Sequence, residues 1–357
     1  MARIHNFSAG PAVLPLPVLE QASKDLIEYG TSGLGIAECS HRSKMFDDIV
    51  VACQERIARL MKLDDDQVVL FLQGGARAQF SMWPANILRG GRATYLDTGI
   101  WAVGAAAEAE RYGTVDVPWS SGGSSWDHVP EPGAWGELPE GTVYLHYTSN
   151  NTVAGSEYPY VPDAGGALLA CDMSSDILAK PIEGSRFDFI YAGAQKNLGP
   201  AGVTVVILRR SLVERMNTDL PQMGRYDLQV AKNSMLNTPC TFGIYMVDRV
   251  TAWIEEQGLE AVDARNQAQA DKLYERIESS TLFRAKVREG SRSRMNVTFT
   301  TGDAERDLDF VRKAADAGLW GLKGHRSVGG LRASLYNAQT DAAVDALCDF
   351  MTRYPAS

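Results

Sequence analysis

The sequence has 357 residues, and at about 150 residues per domain this length suggests roughly two domains. Its 45% hydrophobic and 22% charged residues are typical of globular proteins and exclude the disordered and fibrous classes. The net charge is −9, a poor match for nucleic acid, so we expect no nucleic-acid partner. Any anionic ligand must be held by a local cluster of basic residues.

The cysteine pattern and the apolar runs limit where the protein works. Five cysteines, none with C-x-x-C spacing, argue against a disulfide framework or a structural zinc site, so we expect no metal. The first residues lack the apolar stretch of a signal peptide. No apolar run approaches the roughly 18 residues of a membrane helix. We therefore expect a cytoplasmic protein with no membrane partner.

Helical and strand patterns alternate through the first two thirds of the chain. The segment 46–61 has the 3.6-residue apolar period of an amphipathic helix. Short apolar runs, which are typical of buried strands, occur at 68–72, 93–96, 142–146, 167–171, 187–192 and 203–208. Helix-length segments such as 101–112 separate the early runs. This alternation predicts an α/β domain with a mostly parallel sheet.

The pattern changes near Gly258. The segment 295–300 alternates as a half-exposed strand, and 305–317 is helical. Two further helix faces are apolar, and their residues are Ala270, Leu273, Tyr274 and Ile277, then Val344, Leu347, Cys348 and Met351. We predict a smaller α+β domain at 258–357, a large domain at 16–257, and an N-terminal segment at 1–15 that packs with the small domain.

Polar residues follow three of the predicted strands. Asp172 comes directly after 167–171, and Lys196 follows 187–192 after a short turn. Gly74-Gly75-Ala76-Arg77 follows 68–72 and precedes a helical segment. Ligands of open α/β sheets bind beyond the carboxyl ends of the strands. A carboxylate, an amine and an anion-binding helix start are therefore expected at one edge of the sheet.

Each of these residues could also be an ordinary structural feature, namely a surface lysine, a helix cap or a tight turn. Lys196 differs from most lysines because its neighbours at 191–195 and 197–202 are mostly small and almost uncharged. Desolvation there would lower its pKa and make it a Schiff-base nucleophile. Together the three features suggest pyridoxal phosphate, although spacing alone does not exclude the surface lysine, the cap and the turn.

Two longer motifs, Asp172-Met173-Ser174-Ser175-Asp176-Ile177-Leu178 and the segment 191–202, closely resemble the phosphoserine aminotransferases. These are class V, fold-type I pyridoxal-phosphate enzymes. The resemblance runs end to end, and its other segments are 6–11, 40–43, 73–75, 237–239 and 324–334. It implies a fold-type I PLP-dependent transferase, with a large, mostly parallel α/β domain and a smaller C-terminal α+β domain.

The resemblance implies one pyridoxal 5′-phosphate per subunit, bound as a Schiff base to Lys196, which also acts as general base and acid. Asp172 would pair with the pyridinium nitrogen, and Trp101 would stack on the ring, which completes the catalytic set. Thr152 would hydrogen-bond the ring's phenolic oxygen. The phosphate would be held by Ala76, Arg77, Gln195 and, from the second subunit of a homodimer, Asn237 and Thr238.

The implied substrates are all anions. Arg332 would take the α-carboxylate. The phosphate or γ-carboxylate would be held by Arg77, His325 and Arg326, with His41 and Arg42 of the partner subunit. The implied reaction is a ping-pong transamination of serine biosynthesis, between glutamate and 3-phosphohydroxypyruvate, which gives O-phospho-L-serine and 2-oxoglutarate. Some bacterial members also act on 3-hydroxy-2-oxo-4-phosphonooxybutanoate in pyridoxine biosynthesis.

Three alternatives stay open at this point. Another class V aminotransferase, such as a serine– or alanine–glyoxylate enzyme, has no need for two His-Arg pairs beside Arg332. A cysteine desulfurase needs a mobile cysteine, whereas Cys171 and Cys348 lie in apolar patterns. A non-catalytic cofactor-binding module need not retain the basic cluster.

The chain also departs from the family pattern. Asn151 stands where many members have Glu, and Ala76 stands where Gly is common. We expect the Thr152 contact to survive, and the methyl group of Ala76 to be tolerated if its φ is negative.

Overall fold

The structure is a computed structural model that describes residues 3–355. Its α-helices are α1 (Leu16–Asp25), α2 (Lys44–Leu60), α3 (Gly75–Ile87), α4 (Ile100–Ala109), α5 (Tyr226–Ala231), α6 (Thr241–Gln257), α7 (Leu259–Glu278), α8 (Ala304–Asp316) and α9 (Asp341–Arg353). Its strands are β1 (His5–Asn6), β2 (Gln67–Leu72), β3 (Arg92–Asp97), β4 (Thr114–Ser120), β5 (Thr142–Thr148), β6 (Leu168–Asp172), β7 (Phe189–Gly193), β8 (Thr204–Arg209), β9 (Arg284–Ala285), β10 (Asn296–Thr300), β11 (Leu319–Trp320) and β12 (Leu331–Ser334).

Seven strands form the central sheet in the order β2-β8-β7-β6-β5-β3-β4. All neighbours are parallel except β8, which runs antiparallel to both β2 and β7. The predicted α/β class and mostly parallel sheet are therefore confirmed. Each of the six predicted apolar runs coincides with one of these seven strands. The seventh, β4, was missed because it is a sheet edge whose side chains are largely exposed, so it carries no apolar run.

Helices cover both faces of this sheet, as a parallel sheet requires. The apolar core on one face includes residues of α2 and α6, and the core on the other face includes residues of α3 and α4. The predicted helix at 46–61 is α2, which begins where the Ser43 hydroxyl accepts a hydrogen bond from the Phe46 N–H at 3.2 Å. Among residues 3–355, no helix is both long enough and apolar enough to cross a bilayer.

A separate apolar core lies toward the C-terminus. It contains residues of α7, α8 and α9 that pack on the antiparallel sheet β12-β10-β9. The N-terminal strand β1 pairs in parallel with β11, and the fully buried Phe7 joins this core. Leu259 and Val262, at the start of α7, pack instead in the core of the central sheet. Helix α7 therefore contributes to both cores.

Strand β10 is not half-exposed, as its alternating pattern predicted, because Asn296, Val297, Thr298 and Phe299 are all buried. The polar face of β10 packs on the loop that follows β5. There the Asn150 Nδ2 donates to the Asn296 Oδ1 at 2.8 Å, and the Thr298 hydroxyl donates to the Ala154 carbonyl at 2.7 Å. The expected exposure was wrong because a polar face can be covered by hydrogen-bonding partners that lie far away in the sequence.

Gly155 lets this loop approach β10 closely. Its φ is +88°, and a β-carbon there would lie 2.6 Å from the Thr298 Oγ1 and 2.7 Å from the Asn296 carbonyl oxygen. The Gly155 carbonyl also accepts a hydrogen bond from the Ser293 N–H at 2.9 Å. A glycine is therefore needed at the contact between the two cores.

We predict that Gly155→Ala lowers the free energy of unfolding by about 2 to 5 kcal/mol, because it combines a strained positive φ with overpacking. Gly165→Ala is the matched control, since Gly165 also has a positive φ of +56° but has nothing within 4 Å of its β-carbon position. It should cost only about 1 kcal/mol. Urea unfolding of both variants measures the difference, and equal losses would contradict a close contact at Gly155.

Candidate active site

The predicted carboxylate and lysine lie at the same edge of the central sheet. Asp172 is the last residue of β6, and Lys196 follows the end of β7, the parallel neighbour of β6. The parallel register therefore brings together two residues that are far apart in the sequence. This is the edge at which ligands of such sheets bind.

Lys196 lies in a desolvated setting, as its uncharged flanks predicted. Burial lowers the pKa of its amine to about 8, against the opposing charge of Asp172, and the positive charge of Arg332 lowers it further. The amine donates a hydrogen bond to the Thr152 hydroxyl at 2.5 Å. Near neutral pH a fraction of the amine is therefore neutral, which is the form that acts as a nucleophile or a base.

Asp172 is a buried carboxylate with a limited set of donors. Burial raises its pKa, whereas the charge of Lys196 and hydrogen bonding from Ser174 lower it. One of these bonds comes from the Ser174 N–H at 2.9 Å. No ion pair within 4 Å joins Asp172 to Lys196 among residues 3–355, although their charges interact. Each group therefore remains available to a ligand that reaches both.

Arg332 lies on β12, a strand of the C-terminal core, and its side chain reaches this edge of the central sheet. One of its terminal nitrogens, Nη1, donates to the Thr152 carbonyl at 3.0 Å. Its Nε is buried and has no hydrogen-bond partner within the described part of the chain. Partial burial lowers the pKa of the guanidinium, and a half-buried cation with an unused donor is suited to bind a carboxylate.

His325 and Arg326 precede β12. Burial lowers the pKa of His325, and the charges of Arg332 and Arg326 lower it further. The His325 ring lies 2.7 Å from the Ser327 hydroxyl, measured from Nδ1 to Oγ. Arg326 is exposed. The charges of both arginines therefore act on His325. The hydrogen bond from Arg332 also holds its side chain against the loop after β5 that carries Thr152, called here the Thr152 loop.

Trp101 lies near the start of α4, and the guanidinium carbon of Arg77 is 5.6 Å from the centroid of its ring. The Trp101 Nε1 is buried without a hydrogen-bond partner among residues 3–355. Helix α4 begins beside the Thr152 loop, because a β-carbon on Gly99 would come within 2.3 Å of the Asn151 Oδ1. The helix that carries Trp101 therefore begins beside the loop that carries Thr152.

The start of α3 presents free backbone donors. Gly74 and Gly75 have φ values of +92° and +68°, and no side chain from the described residues caps the helix. The first N–H groups of α3 are therefore open to an anion. Ala76 lies within the helix and is not among the residues with positive φ, so its methyl group is tolerated, as expected. Gln195 lies beside Lys196, and its carbonyl accepts a hydrogen bond from the Ala12 N–H at 2.9 Å.

These residues fit pyridoxal phosphate. The lysine amine has a lowered pKa, and the buried carboxylate makes no direct ion pair with it in the described part of the chain. The buried Nε1 of Trp101 and Nε of Arg332 have no partner within residues 3–355. The helix start adds donors for a phosphate.

Four of the predicted site residues form no bond to the lysine, the aspartate or Arg332 in the part of the chain that the structure describes. His41 and Arg42 lie in the turn before α2. Asn237 lies next to Gln73, with 3.5 Å between the Asn237 Nδ2 and the Gln73 Oε1, and the Gln73 Nε2 donates to the Thr238 carbonyl at 3.3 Å. Within residues 3–355, no hydrogen bond or ion pair links these four residues to Lys196, Asp172 or Arg332. They are the four residues that the resemblance assigned to a second subunit.

Sequence reasoning missed a buried polar network beside the site. The Asn296 Nδ2 donates to the Ser334 and Tyr336 hydroxyls at 2.9 and 3.2 Å. Tyr336 in turn donates to the Ala9 carbonyl at 2.8 Å. No local pattern marks these residues, because their partners come from the N-terminal segment, β10 and β12.

Asn151, the departure from the family pattern, is also buried, and its Nδ2 donates to the Ser156 hydroxyl at 3.1 Å. A neutral amide avoids the desolvation cost that a charged glutamate would bear in this position.

A cavity of about 810 Å³ lies elsewhere, between α7 and the segment after β6. Its lining includes Glu157, Asp176 and Arg294 but not Lys196, Asp172 or Arg332. Glu157 is already paired with Lys180 at 2.6 Å and with Arg294 at 3.0 Å. Burial raises the pKa of Asp176 to about 7. The candidate active site is therefore assigned from its chemistry and not from cavity size.

Comparison with known proteins agrees with this geometry. The family model described as aminotransferase class-V matches residues 4–347. A phosphoserine aminotransferase from Desulfatibacillum aliphaticivorans is 49% identical, over 99% of this chain and 98% of the relative. The solved phosphoserine aminotransferase from Bacillus circulans subsp. alkalophilus is 45% identical, with a TM-score of 0.95 and 98% of each chain covered. The PLP-bound phosphoserine aminotransferase from Trichomonas vaginalis is 38% identical, with a TM-score of 0.93, covering 98% of this chain and 100% of that one.

The chain belongs to the class-V aminotransferase family. Its fold is that of the PLP-dependent aminotransferases to which it is similar. The family's cofactor, pyridoxal 5′-phosphate, is the group that the residues at this edge fit.

We predict that Lys196→Ala abolishes covalent attachment of pyridoxal phosphate, because Lys196 is the amine that Thr152 holds at this edge. Borohydride reduction of the protein mixed with cofactor, followed by mass spectrometry, measures the attachment. Lys180→Ala, which removes another half-buried lysine, paired with Glu157, is the control and should keep the attachment. If borohydride instead fixes the cofactor to another lysine of the Lys196→Ala protein, the assignment of Lys196 is wrong.

Proposed function

We propose that this protein is a phosphoserine aminotransferase. It would transfer an amino group reversibly between glutamate and 3-phosphohydroxypyruvate, giving O-phospho-L-serine and 2-oxoglutarate. The observation that carries the proposal is the half-buried Arg332 side chain, whose buried Nε is an unused donor and whose Nη1 bonds to Thr152, the partner of Lys196. The chain is also 49% identical over its length to a phosphoserine aminotransferase. An acidic protein that places a desolvated cation there is adapted to an anionic substrate.

Pyridoxal phosphate, when bound, supplies an electron sink that lets an amino acid lose its α-proton. Lys196 would hold the cofactor and carry that proton, and its lowered pKa suits both tasks, because a neutral amine accepts a proton and the resulting ammonium returns it. Thr152, which the amine contacts at 2.5 Å, keeps Lys196 oriented toward the site.

Asp172 would hold a proton at the ring nitrogen. A carboxylate that is buried but supported by the Ser174 N–H stabilises a positive charge strongly, because little water competes for it. Trp101 would cover one face of the ring and exclude water from it. The free N–H groups of Ala76 and Arg77, at the start of α3, would bind the phosphate together with Gln195.

Arg332 would bind the α-carboxylate of both amino donors, because a guanidinium binds carboxylates with two parallel hydrogen bonds. The side-chain anion, a phosphate or a carboxylate, would be bound by Arg77, His325 and Arg326. His41 and Arg42 of the partner subunit would complete this group. Asn237 and Thr238 of the partner subunit would reach the cofactor phosphate.

A homodimer with its active sites at the interface would supply these four residues, none of which bonds to Lys196 within the described chain. We further propose that the protein works in the cytoplasm. The N-terminal segment 1–15 and the units 16–257 and 258–357 are proposed as its domains, in keeping with the pairing of β1 with β11 and with the separate C-terminal core. The phosphorylated substrate of pyridoxine biosynthesis remains a further candidate, since it carries the same anions.

The alternatives have less support. A solved alanine–glyoxylate aminotransferase from Nostoc sp. is only 17% identical, a level that shows the fold alone. Glyoxylate enzymes also have no need for the basic residues beside Arg332. A cysteine desulfurase is disfavoured because Cys171 and Cys348 are buried in the cores, as their apolar patterns predicted.

The visible absorption spectrum of the holoenzyme tests the substrate. We expect O-phospho-L-serine to bleach the long-wavelength band of the bound cofactor as the amino group is transferred. L-serine and L-alanine at the same concentration are the controls and should change the spectrum far less, because they lack the second anion. A response to alanine or serine with none to phosphoserine would overturn the proposed specificity. A cofactor that never binds would overturn the enzyme assignment.

We predict that Arg332→Lys raises the KM for both glutamate and phosphoserine by about 10- to 100-fold, because an ammonium cannot form the paired hydrogen bonds of a guanidinium. Steady-state kinetics with each donor measures the change. Arg353→Lys, at the exposed end of α9, is the matched control and should leave both values unchanged. An effect on only one donor would contradict a shared α-carboxylate site.

A further inference from the structure

Residues 324–330, called here the basic turn, carry His325 and Arg326 and lead into β12. The Gly324 N–H donates to the Gly330 carbonyl at 2.9 Å, which closes the base of the basic turn. Gly330 has a φ of +74°, and a β-carbon there would lie 2.8 Å from a backbone carbonyl oxygen of β10. The base of the basic turn is therefore packed against the sheet of the C-terminal core.

The tip of the basic turn is held from outside by the ammonium of Lys286, the residue after β9. The Lys286 Nζ donates to the Val328 carbonyl at 2.5 Å and, more weakly, to the Gly329 carbonyl at 3.4 Å. The N–H groups of the same two residues donate to the His325 carbonyl at 3.1 and 2.8 Å. In the part of the chain that the structure describes, no other hydrogen bond or ion pair joins 325–329 to residues outside the basic turn. One side chain therefore restrains the tip.

Lys286 is itself fixed in the C-terminal core. Its N–H donates to the Thr298 carbonyl of β10 at 3.1 Å, and β9 pairs with the same strand. Burial lowers the pKa of the ammonium, whereas the charge of Asp307 raises it. Among residues 3–355, no carboxylate lies within 4 Å of the ammonium, and its hydrogen bonds go to the two carbonyls of the basic turn. The ammonium therefore brings a positive charge to the basic turn as well as a restraint.

The charges at this place make a restraint necessary. Burial lowers the pKa of His325, and the charges of Arg332 and Arg326 lower it further, because a protonated His325 is repelled by both arginines. Arg332 is anchored by its bond to the Thr152 carbonyl at 3.0 Å. Arg326 is exposed and has no hydrogen bond or ion pair within the described residues. Without a restraint at its tip, the basic turn would be free to move away from Arg332 before an anion is bound.

We propose that Lys286 is a positioning residue for the second anion of the substrate: its ammonium holds the tip of the basic turn where His325 and Arg326 can bind a phosphate. The inference rests on the proposed function, because that function assigns the side-chain anion to these two residues. A misplacement of about 1 Å in a binding group can cost about 100-fold in rate. An amino donor without a second anion makes no use of the basic turn. Lys286 should therefore matter for phosphoserine and not for L-alanine.

The experiment follows the half-reactions of the holoenzyme, mixed rapidly with O-phospho-L-serine or with L-alanine, by the absorbance of the bound cofactor. Lys286→Met nearly keeps the length of the side chain but removes the ammonium. We expect it to raise the dissociation constant of phosphoserine by about tenfold, as for the loss of one hydrogen bond from a charged group, with little change in the maximal rate. The slower reaction with L-alanine should keep its rate constant, which also shows that the variant is folded and loaded with cofactor.

Two further variants separate the restraint from charge alone. Lys286→Arg keeps a charged donor at this position and should recover part of the affinity for phosphoserine. Lys323→Met removes another lysine beside the basic turn, an exposed one whose side chain makes no hydrogen bond or ion pair within residues 3–355. It should leave the dissociation constant of phosphoserine unchanged.

An unchanged dissociation constant of phosphoserine in Lys286→Met would overturn the proposal, and so would an equal loss with L-alanine or in Lys323→Met. A failure of the proposed function is a different result, because it appears in the wild type as a reaction with L-alanine and none with phosphoserine. That result would overturn this inference as well, before any variant is made.

Discussion

The site depends on the removal of water from a lysine and an aspartate that are adjacent but not paired. Burial pushes both groups toward their neutral forms, while the charge of each favours the charged form of the other. No direct ion pair joins the two groups within residues 3–355. Lys196 therefore keeps a nucleophilic amine, and Asp172 keeps a carboxylate that a ligand can contact. The parallel pairing of β6 with β7 makes this possible, since it places the two strand ends side by side.

The second core completes the site and is held to it by polar contacts. Asn150, Ala154 and Gly155 pack against β10, and the same loop carries Thr152, which contacts Lys196 through its hydroxyl and Arg332 through its carbonyl. A single loop thus positions the amine relative to the guanidinium. Disturbing this loop should affect the stability of the fold and the geometry of the site together.

Charge explains how an acidic chain can serve anionic substrates. The net charge of the chain is −9. Within this acidic chain, Arg332 bonds to the Thr152 carbonyl, and its charge acts on His325. Two further basic residues, His41 and Arg42, are those that the resemblance gives to a second subunit. In the proposed homodimer the substrate site would be divided between two chains, with the cofactor chemistry supplied largely by one.

The sequence by itself determined the parallel sheet, the helices that cover it, and the strand ends that carry Asp172, Lys196 and the Gly74-Gly75 turn, because apolar runs and turn residues are local signals. Its motifs also indicated the family. Only the tertiary structure decided that β10 is buried on both faces, that Asn296 and Tyr336 form a network with the N-terminal segment, and that Lys286 bonds to the turn that carries His325. These features depend on partners distant in the chain, and no local pattern records which buried polar groups will meet.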